Sequence, residues 1–403
     1  MNQLLKVDYN KKNCYYPNIK NQIEQQKNNF HQLKDHYKIK SNLNDYLQNQ
    51  KCSQFLENFE LTDYISSGSS GVVYGGLHKK KPENKVCLKF LLNKSDLERR
   101  DKIFNKYNKN NLDKTKKDNN MLKNIDSKID EINIQKKLQH KNIAKYYGYC
   151  DLKEYGCIIM ELAHYGDLDL IQKKSLQRKY LSETFLAYIT KQILDGLYFI
   201  HKSKIIHMDI KQQNILIDKN LEIKITDFSV SLSYEKVKTT EKIKLPLSGT
   251  SPYMSPEVLG QEQIDIEDAS KIDMYSLGIM LYYLSFGEFP YNLDINLKKN
   301  FSMILQRIKD SNLEMPENKI KCNKYSYLYI KFLKNLLDKN IKNRLSIFEA
   351  LDDPWIKGAQ IIFKEKEKIC DMGKFLINLN WDNIGSFNEY LKANNSETFN
   401  TSN

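Results

Sequence analysis

Between Ile205 and Leu216 the chain reads IIHMDIKQQNIL, which sets a carboxylate at Asp209, an ammonium at Lys211 and a carboxamide at Asn214, at offsets of two and five residues. These are residue types from which a phosphoryl-transfer loop is built. A second carboxylate, Asp227 in ITDFS, follows thirteen residues after Asn214. An Asp in a turn is most often an Asx cap, so neither acid is informative alone. Lys89 in VCLK lies on an apolar strand pattern. An unpaired ammonium there would be expensive to bury, so Lys89 either turns to the surface or needs a carboxylate or phosphate partner. Upstream, SSGSSGVVY places Gly68 and Gly71 between two strand patterns. Glycine at such points lets backbone N–H groups approach an anion closely, although a plain Ser/Gly hairpin turn reads the same way.

Such residues act only if a folded scaffold positions them. The chain has 403 residues, 40% of them apolar, enough to fill a core and to form two or three packed units. Lys and Arg outnumber Asp and Glu by 63 to 50, a net charge of +13, but both signs are spread through the chain beside many Asn. No basic run is interleaved with aromatics, so no nucleic-acid partner is expected. The seven cysteines form no CxxC pair and cannot all pair within one chain, which favours a reduced, cytoplasmic setting. The start, MNQLLKVDYNKKN, lacks the apolar core of a secretory signal. The most apolar run, LGIMLYYLSF from Leu277, is far short of the ~18 residues that span a bilayer, so a soluble protein without a membrane partner is expected.

Residues 1–55 are rich in Asn, Gln and Lys and read as a polar extension. From Phe59, FELTDYISSGSSGVVYGGLH reads as strand, turn, strand, and KVCLKFLL as a further buried strand. A charged, Asn-rich insertion follows at about 93–127. Periodic apolar positions resume in DEINIQKKLQ, then two strand-like runs, NIAKYYGYC and YGCIIMEL. Helical spacing takes over in LSETFLAYITKQILDGLYFIHK, where Phe185, Ile189, Ile193, Leu197 and Ile200 share one face and Ser182 can cap.

With these motifs in this order, the chain resembles a eukaryotic protein kinase of the Ser/Thr type, from about Phe59 to Trp355. The resemblance implies an α+β, bilobal fold: a β-rich N-lobe over 56–162 that carries the insertion, a helical C-lobe over 163–357, and a helical tail over 358–403. It implies ATP and Mg²⁺ as cofactors and a protein substrate, and leaves the oligomeric state open. By the same resemblance Asp209 would orient the substrate hydroxyl, Lys211 would neutralise phosphoryl charge, and Lys89 would pair with Glu131. Asn214 and Asp227 would hold metal. Gly68, Gly71, Val73, Lys89, Met160 at the gate, Glu161, Ala163, Asp167 near the ribose and Leu216 would form the nucleotide site. Thr250 in SGTSPYMSPEV would bond both Asp209 and Lys211, Glu257 would pair with Arg344, and Asp273 would brace the loop.

Four positions depart from the family pattern: Ser66 for the first Gly, Gln135 for an apolar spine residue, Met208 for the catalytic-loop Arg, and Ser229 for a Gly. Lys211 and the GTSPY segment resemble Ser/Thr rather than tyrosine kinases, and Gln213 stands where base-seeking kinases carry Glu. The departures motivate a rival reading, an ATP-binding pseudokinase that serves as a scaffold or allosteric regulator.

Overall fold

Alternating β-branched and aromatic residues make the first part of the chain a sheet. The computed structural model describes residues 58–67, 71–91, 130–151, 156–175, 181–238, 240–293, 300–323 and 325–363. The polar extension, the insertion and the tail beyond 363 lie outside the described residues. Five strands, β1 (Phe59–Ser67), β2 (Gly71–His78), β3 (Lys81–Leu91), β4 (Tyr146–Asp151) and β5 (Gly156–Glu161), form one sheet in the order β1-β2-β3-β5-β4, with every pair antiparallel. The strand with the longest apolar run, GCIIME, is β5; it lies inside the sheet, and its first five residues are buried. Register sets Val73 and Ile158 on either side of Lys89. One helix, α1 (residues 130–137), accompanies the sheet, with Ile132 and Ile134 buried among its residues.

Beyond β5 the fold is helical. Helices α2 (Leu168–Ser175) and α3 (Glu183–Lys202) come first. The expected cap and face of α3 are both present: the Ser182 hydroxyl accepts the Phe185 N–H, and Phe185, Ile189, Ile193, Leu197 and Ile200 are all buried. After the short α4 (Pro256–Leu259) comes α5 (Ser270–Phe286), which is apolar nearly all round and therefore central to this half. It holds the run LGIMLYYLSF, and no helix among the described residues is long and apolar enough to cross a membrane. Helices α6 (Phe301–Asp310), α7 (Glu317–Asn323), α8 (Tyr327–Leu336), α9 (Ile347–Asp352) and α10 (Pro354–Phe363) complete the lobe. Its apolar residues form one large cluster, while the sheet lobe has two small ones.

Short strands frame the loops that matter. Strand β6 (Ile205–Ile206) pairs with β9 (Leu232–Ser233), and β7 (Ile215–Ile217) with β8 (Ile223–Ile225). Residues 207–214 are thus held between β6 and β7, and Asp227 follows β8 with only Thr226 between.

Candidate active site

The loop after β6 is fixed from below by one carboxylate. Asp273, fully buried on α5, accepts the N–H groups of His207 at 2.8 Å and Met208 at 2.9 Å, and meets His201 Nε2 at 2.8 Å. Burial alone would raise its pKa, but the hydrogen bond and charge of His201 prevail and hold it below the ordinary carboxylate value. The two backbone bonds hold Met208 at φ 69°, a left-handed conformation that costs a non-glycine residue energy and needs such support. Gly249 is required beside it: its φ is 110°, and a Cβ there would fall 2.4 Å from the Met208 carbonyl oxygen.

The sequence-predicted residues meet above this brace. Lys211 Nζ donates to Asp209 Oδ2 at 2.6 Å and to Thr250 Oγ1 at 2.7 Å. Asn214 Nδ2 donates to the Asp209 carbonyl at 2.8 Å and to Oδ2 at 3.0 Å. One carboxylate oxygen is therefore saturated, while Asp209 Oδ1, buried, has no hydrogen-bond partner. The expected bond from Thr250 to Asp209 is not formed. Thr250 meets Lys211 alone, whose ammonium bridges the hydroxyl and the carboxylate.

A second cluster spans the two lobes. Lys89 Nζ lies 2.7 Å from Glu131 Oε1 on α1 and 2.8 Å from Asp227 Oδ1 after β8. The 42 residues between Lys89 and Glu131 are bridged despite the insertion. Burial disfavours the Lys89 ammonium, but the charges of Asp227 and Glu131 outweigh it and raise its pKa above the ordinary lysine value. Burial likewise acts to raise Asp227, yet Lys89, with help from the Ser229 hydroxyl, holds it well below the carboxylate range. Glu131 moves the opposite way, upward, because burial outweighs Lys89 there. The neighbours explain the split: Asp227 has the Ser229 hydroxyl and the His207 charge besides Lys89, whereas the like charge of Asp227 adds to burial at Glu131.

The wall around these groups matches the expected nucleotide site in part. Val73 pairs across from Lys89, and buried Met160 touches Thr226, its sulfur 3.9 Å from Oγ1. The Glu161 N–H is taken by the Lys145 carbonyl at 2.8 Å. Ala163 follows half-buried. Asp167 pairs with Leu216 in an isolated bridge, and its Oδ1 caps Leu170 N at 2.7 Å. Gly71 is glycine for a packing reason, since a Cβ there would fall 2.2 Å from the Phe90 carbonyl oxygen. Gly68 lies outside the described residues.

Residues 59–356 match the model of the protein kinase domain. The chain belongs to the protein kinase family. The relatives it matches are named serine/threonine-protein kinases. It is 30% identical over 320 residues to Serine/threonine-protein kinase pakD of Dictyostelium discoideum, covering 75% of this chain and 16% of that protein. It is 30% identical over 307 residues to Serine/threonine-protein kinase pakH of the same organism, covering 75% and 50%. It is 28% identical over 229 residues to Serine/threonine-protein kinase PLK4 of Drosophila virilis, covering 57% and 27%. The chain thus spans half or less of the length of these relatives.

Against that kinase frame, the departures fall in different places. Ser66 is exposed on β1, while Met208 is buried and part of the large core cluster. Gln135 is buried on α1 with Oε1 lacking a hydrogen-bond partner. The expected pair of Glu257 with Arg344 forms, with contacts of 2.8 Å and 3.2 Å. Two contributors escaped the sequence reading. His201 supports Asp273, and Lys224 ties Glu161 (3.5 Å), Asp218 (3.5 Å) and the Lys141 carbonyl (2.8 Å) together beneath the lobe connection. The available signal for Lys224 was a Lys between two Ile on a short strand, which cannot be buried without anionic partners.

Proposed function

We propose that the protein transfers the γ-phosphoryl group of ATP to Ser or Thr hydroxyls of protein substrates, and does so in the cytoplasm. The observation that carries this is the asymmetry of Asp209. Lys211 and Asn214 hold Oδ2, so Oδ1 is left to accept the hydrogen bond of an incoming hydroxyl. Lys211 then lies where phosphoryl charge develops, and Lys89, positioned by Glu131, provides a second fixed cation near Asp227.

The donor set suits magnesium. The Asn214 amide nitrogen is spent on Asp209, which leaves its oxygen, and Lys89 takes only one oxygen of Asp227. Hard oxygen donors with few protein ligands are what Mg²⁺ accepts beside phosphates. When bound, it would neutralise phosphate charge. The proposed cytoplasmic setting draws support from Cys87 and Cys157, both free thiols.

Activity is expected not to depend on an activation-segment phosphate gripped at position 208, because Met208 offers no donor and packs into the core. Phosphatase treatment should leave turnover intact. Loss of turnover that is restored only by phosphate at a single segment Ser or Thr would overturn this.

The test of the main reading is phosphate transfer from Mg²⁺/ATP by the purified protein beside Asp209→Asn. Wild type should incorporate phosphate on Ser or Thr and the variant about 10²- to 10⁴-fold less. Equal incorporation by both sinks the assignment. A thermal shift with Mg²⁺/ATP in a protein that turns over no substrate would instead support the scaffold reading.

A further inference from the structure

The substrate-facing segment before Thr250 is lysine-rich in a patterned way. Strand β10 (Ile243–Lys244) pairs with β11 (Gln263–Ile264), which fixes the alternation: Ile243 and Leu245 are buried, while Lys242 and Lys244 are exposed. At period two the two side chains leave the same face, their Cα atoms about 7 Å apart, the spacing of alternate residues on any extended peptide. Lys236 and Lys238 precede them, also exposed.

Between 235 and 250 the chain carries two acids, Glu235 and Glu241, against four lysines, and Glu241, exposed, accepts the Lys238 N–H at 3.4 Å. Glu235 is engaged by Lys137 at 2.7 Å. Lys242 reaches Asp265 only at 3.7 Å, and Lys342 already holds that carboxylate at 2.8 Å. Glu262 turns its carboxylate toward Gly260. Lys236, Lys238 and Lys244 have no ion pair among the described residues. The catalytic loop adds no compensating charge at Gln213, which is exposed and neutral.

The patch is also close to the chemistry. Thr250 Oγ1 is 2.7 Å from Lys211 Nζ, and a Cβ on Gly249 would lie 3.8 Å from Asp209 Oδ1. Lys244 precedes Gly249 by five residues. Even fully extended, that separation is at most about 18 Å, within the reach of a few residues on either side of a bound acceptor.

Resting on the Ser/Thr kinase reading, the geometry points to a substrate class: polypeptides that carry anionic side chains within about five residues of the target hydroxyl, read by Lys242 and Lys244 with Lys236 and Lys238 as outer cations. Carboxylates and phosphorylated residues share the required chemistry.

The test uses the full-length protein and peptides with one Ser acceptor, whose neighbouring alternate positions carry Asp, Asn, Lys or phosphoserine. Binding is read by fluorescence anisotropy and transfer by phosphate incorporation. The Asp peptide should bind about 5- to 10-fold more tightly than the Asn peptide at low salt, with the gap closing at high salt. The gap should also shrink in Lys242→Gln with Lys244→Gln, and less in Lys236→Gln with Lys238→Gln, each checked for an unchanged melting temperature. A phosphoserine peptide that outbinds Asp assigns the surface to already phosphorylated substrates; parity assigns it to carboxylates. Equal binding of Asp and Asn peptides, or a gap untouched by both double variants, overturns the inference. Preferred binding of the acidic peptide without transfer keeps the inference and fails the kinase reading.

Discussion

The catalytic loop and helix α1 both bring charged groups to one site, but they are supported in opposite ways. The loop rests on Asp273, which is fully buried in the large core and bonded to His201 and to two backbone N–H groups. Helix α1 reaches that core through Ile134, packs Ile132 into one of the two small clusters of the sheet lobe, and carries polar residues at two inward positions. Glu131 is paid off by Lys89, whereas Gln135 keeps a buried oxygen without a partner. The difference separates chemistry from control. Groups that must hold a fixed geometry at every turnover are built into the stable lobe, and the group that completes the site from the other lobe sits on a helix with a built-in cost.

The largest expected effect is on the loop. Asp273→Ala would strand the His207 and Met208 N–H groups and leave Met208 in a left-handed conformation without support. It should cost roughly 3–5 kcal/mol of stability, read by chemical denaturation. A loss under 1 kcal/mol would mean that the loop is not held as described. Next is the link between the regions. Lys89→Met should reduce phosphate transfer about 10²- to 10³-fold, with a smaller loss of stability than Asp273→Ala. If Lys89→Met unfolded the protein more than Asp273→Ala, the ranking of the two regions would be reversed.

Much of the loop side was legible in the chain because its parts lie close in sequence or at spacings the family fixes. Asp209, Lys211 and Asn214 converge as their offsets suggested, and Ser182 caps α3 above a face that is buried at every expected position. Glu131 was legible across the insertion because it lies nine residues before His140 in EINIQKKLQH, a family spacing the insertion does not alter. Hydrogen-bond choice was not legible. Whether Thr250 bonds to Asp209 or only to Lys211 depends on where one flexible ammonium settles between two acceptors, a matter of tenths of an ångström. Lys224 was only partly legible: Glu222, at 3.1 Å, is two residues away in sequence, but Glu161, Asp218 and the Lys141 carbonyl come from separate segments. Gly71 read as a phosphate-loop glycine, while the structure gives it a strand-packing role at Phe90.

A smaller effect sharpens the account of α1. Gln135→Leu removes the orphaned oxygen and keeps a similar volume, so it should stabilise the protein by about 1–3 kcal/mol. If the cost of Gln135 limits how often Glu131 reaches Lys89, the same variant should raise turnover by a few fold. Added stability with unchanged turnover would keep the burial cost and remove the regulatory meaning. Destabilisation would show that the glutamine has a favourable partner in solution.

The smallest effect concerns acid, because the buried carboxylates oppose one another. Asp227 and Asp273 have folded pKa values below their ordinary value of 3.8, so each contributes stability that is complete above that value and is lost as pH falls through the lower, folded one. Glu131 is shifted upward, so protonation favours the folded state there and offsets part of that loss on acidification. The raised Lys89 adds stability that is present below its ordinary value of 10.5 and is lost only as pH rises through the higher, folded one, so it is silent in the acid range. Two groups against one should leave a net decline below about pH 4, while above it the raised Glu131 gains and the lowered His140 loses stability on acidification. Denaturation midpoints measured from pH 7 to 3 test this, and Asp273→Asn should flatten the acid limb by removing one of the two falling contributions. A stability that rises on passing below pH 4 would assign the dominant proton uptake to Glu131 and make α1, rather than the loop, the electrostatic anchor of the site.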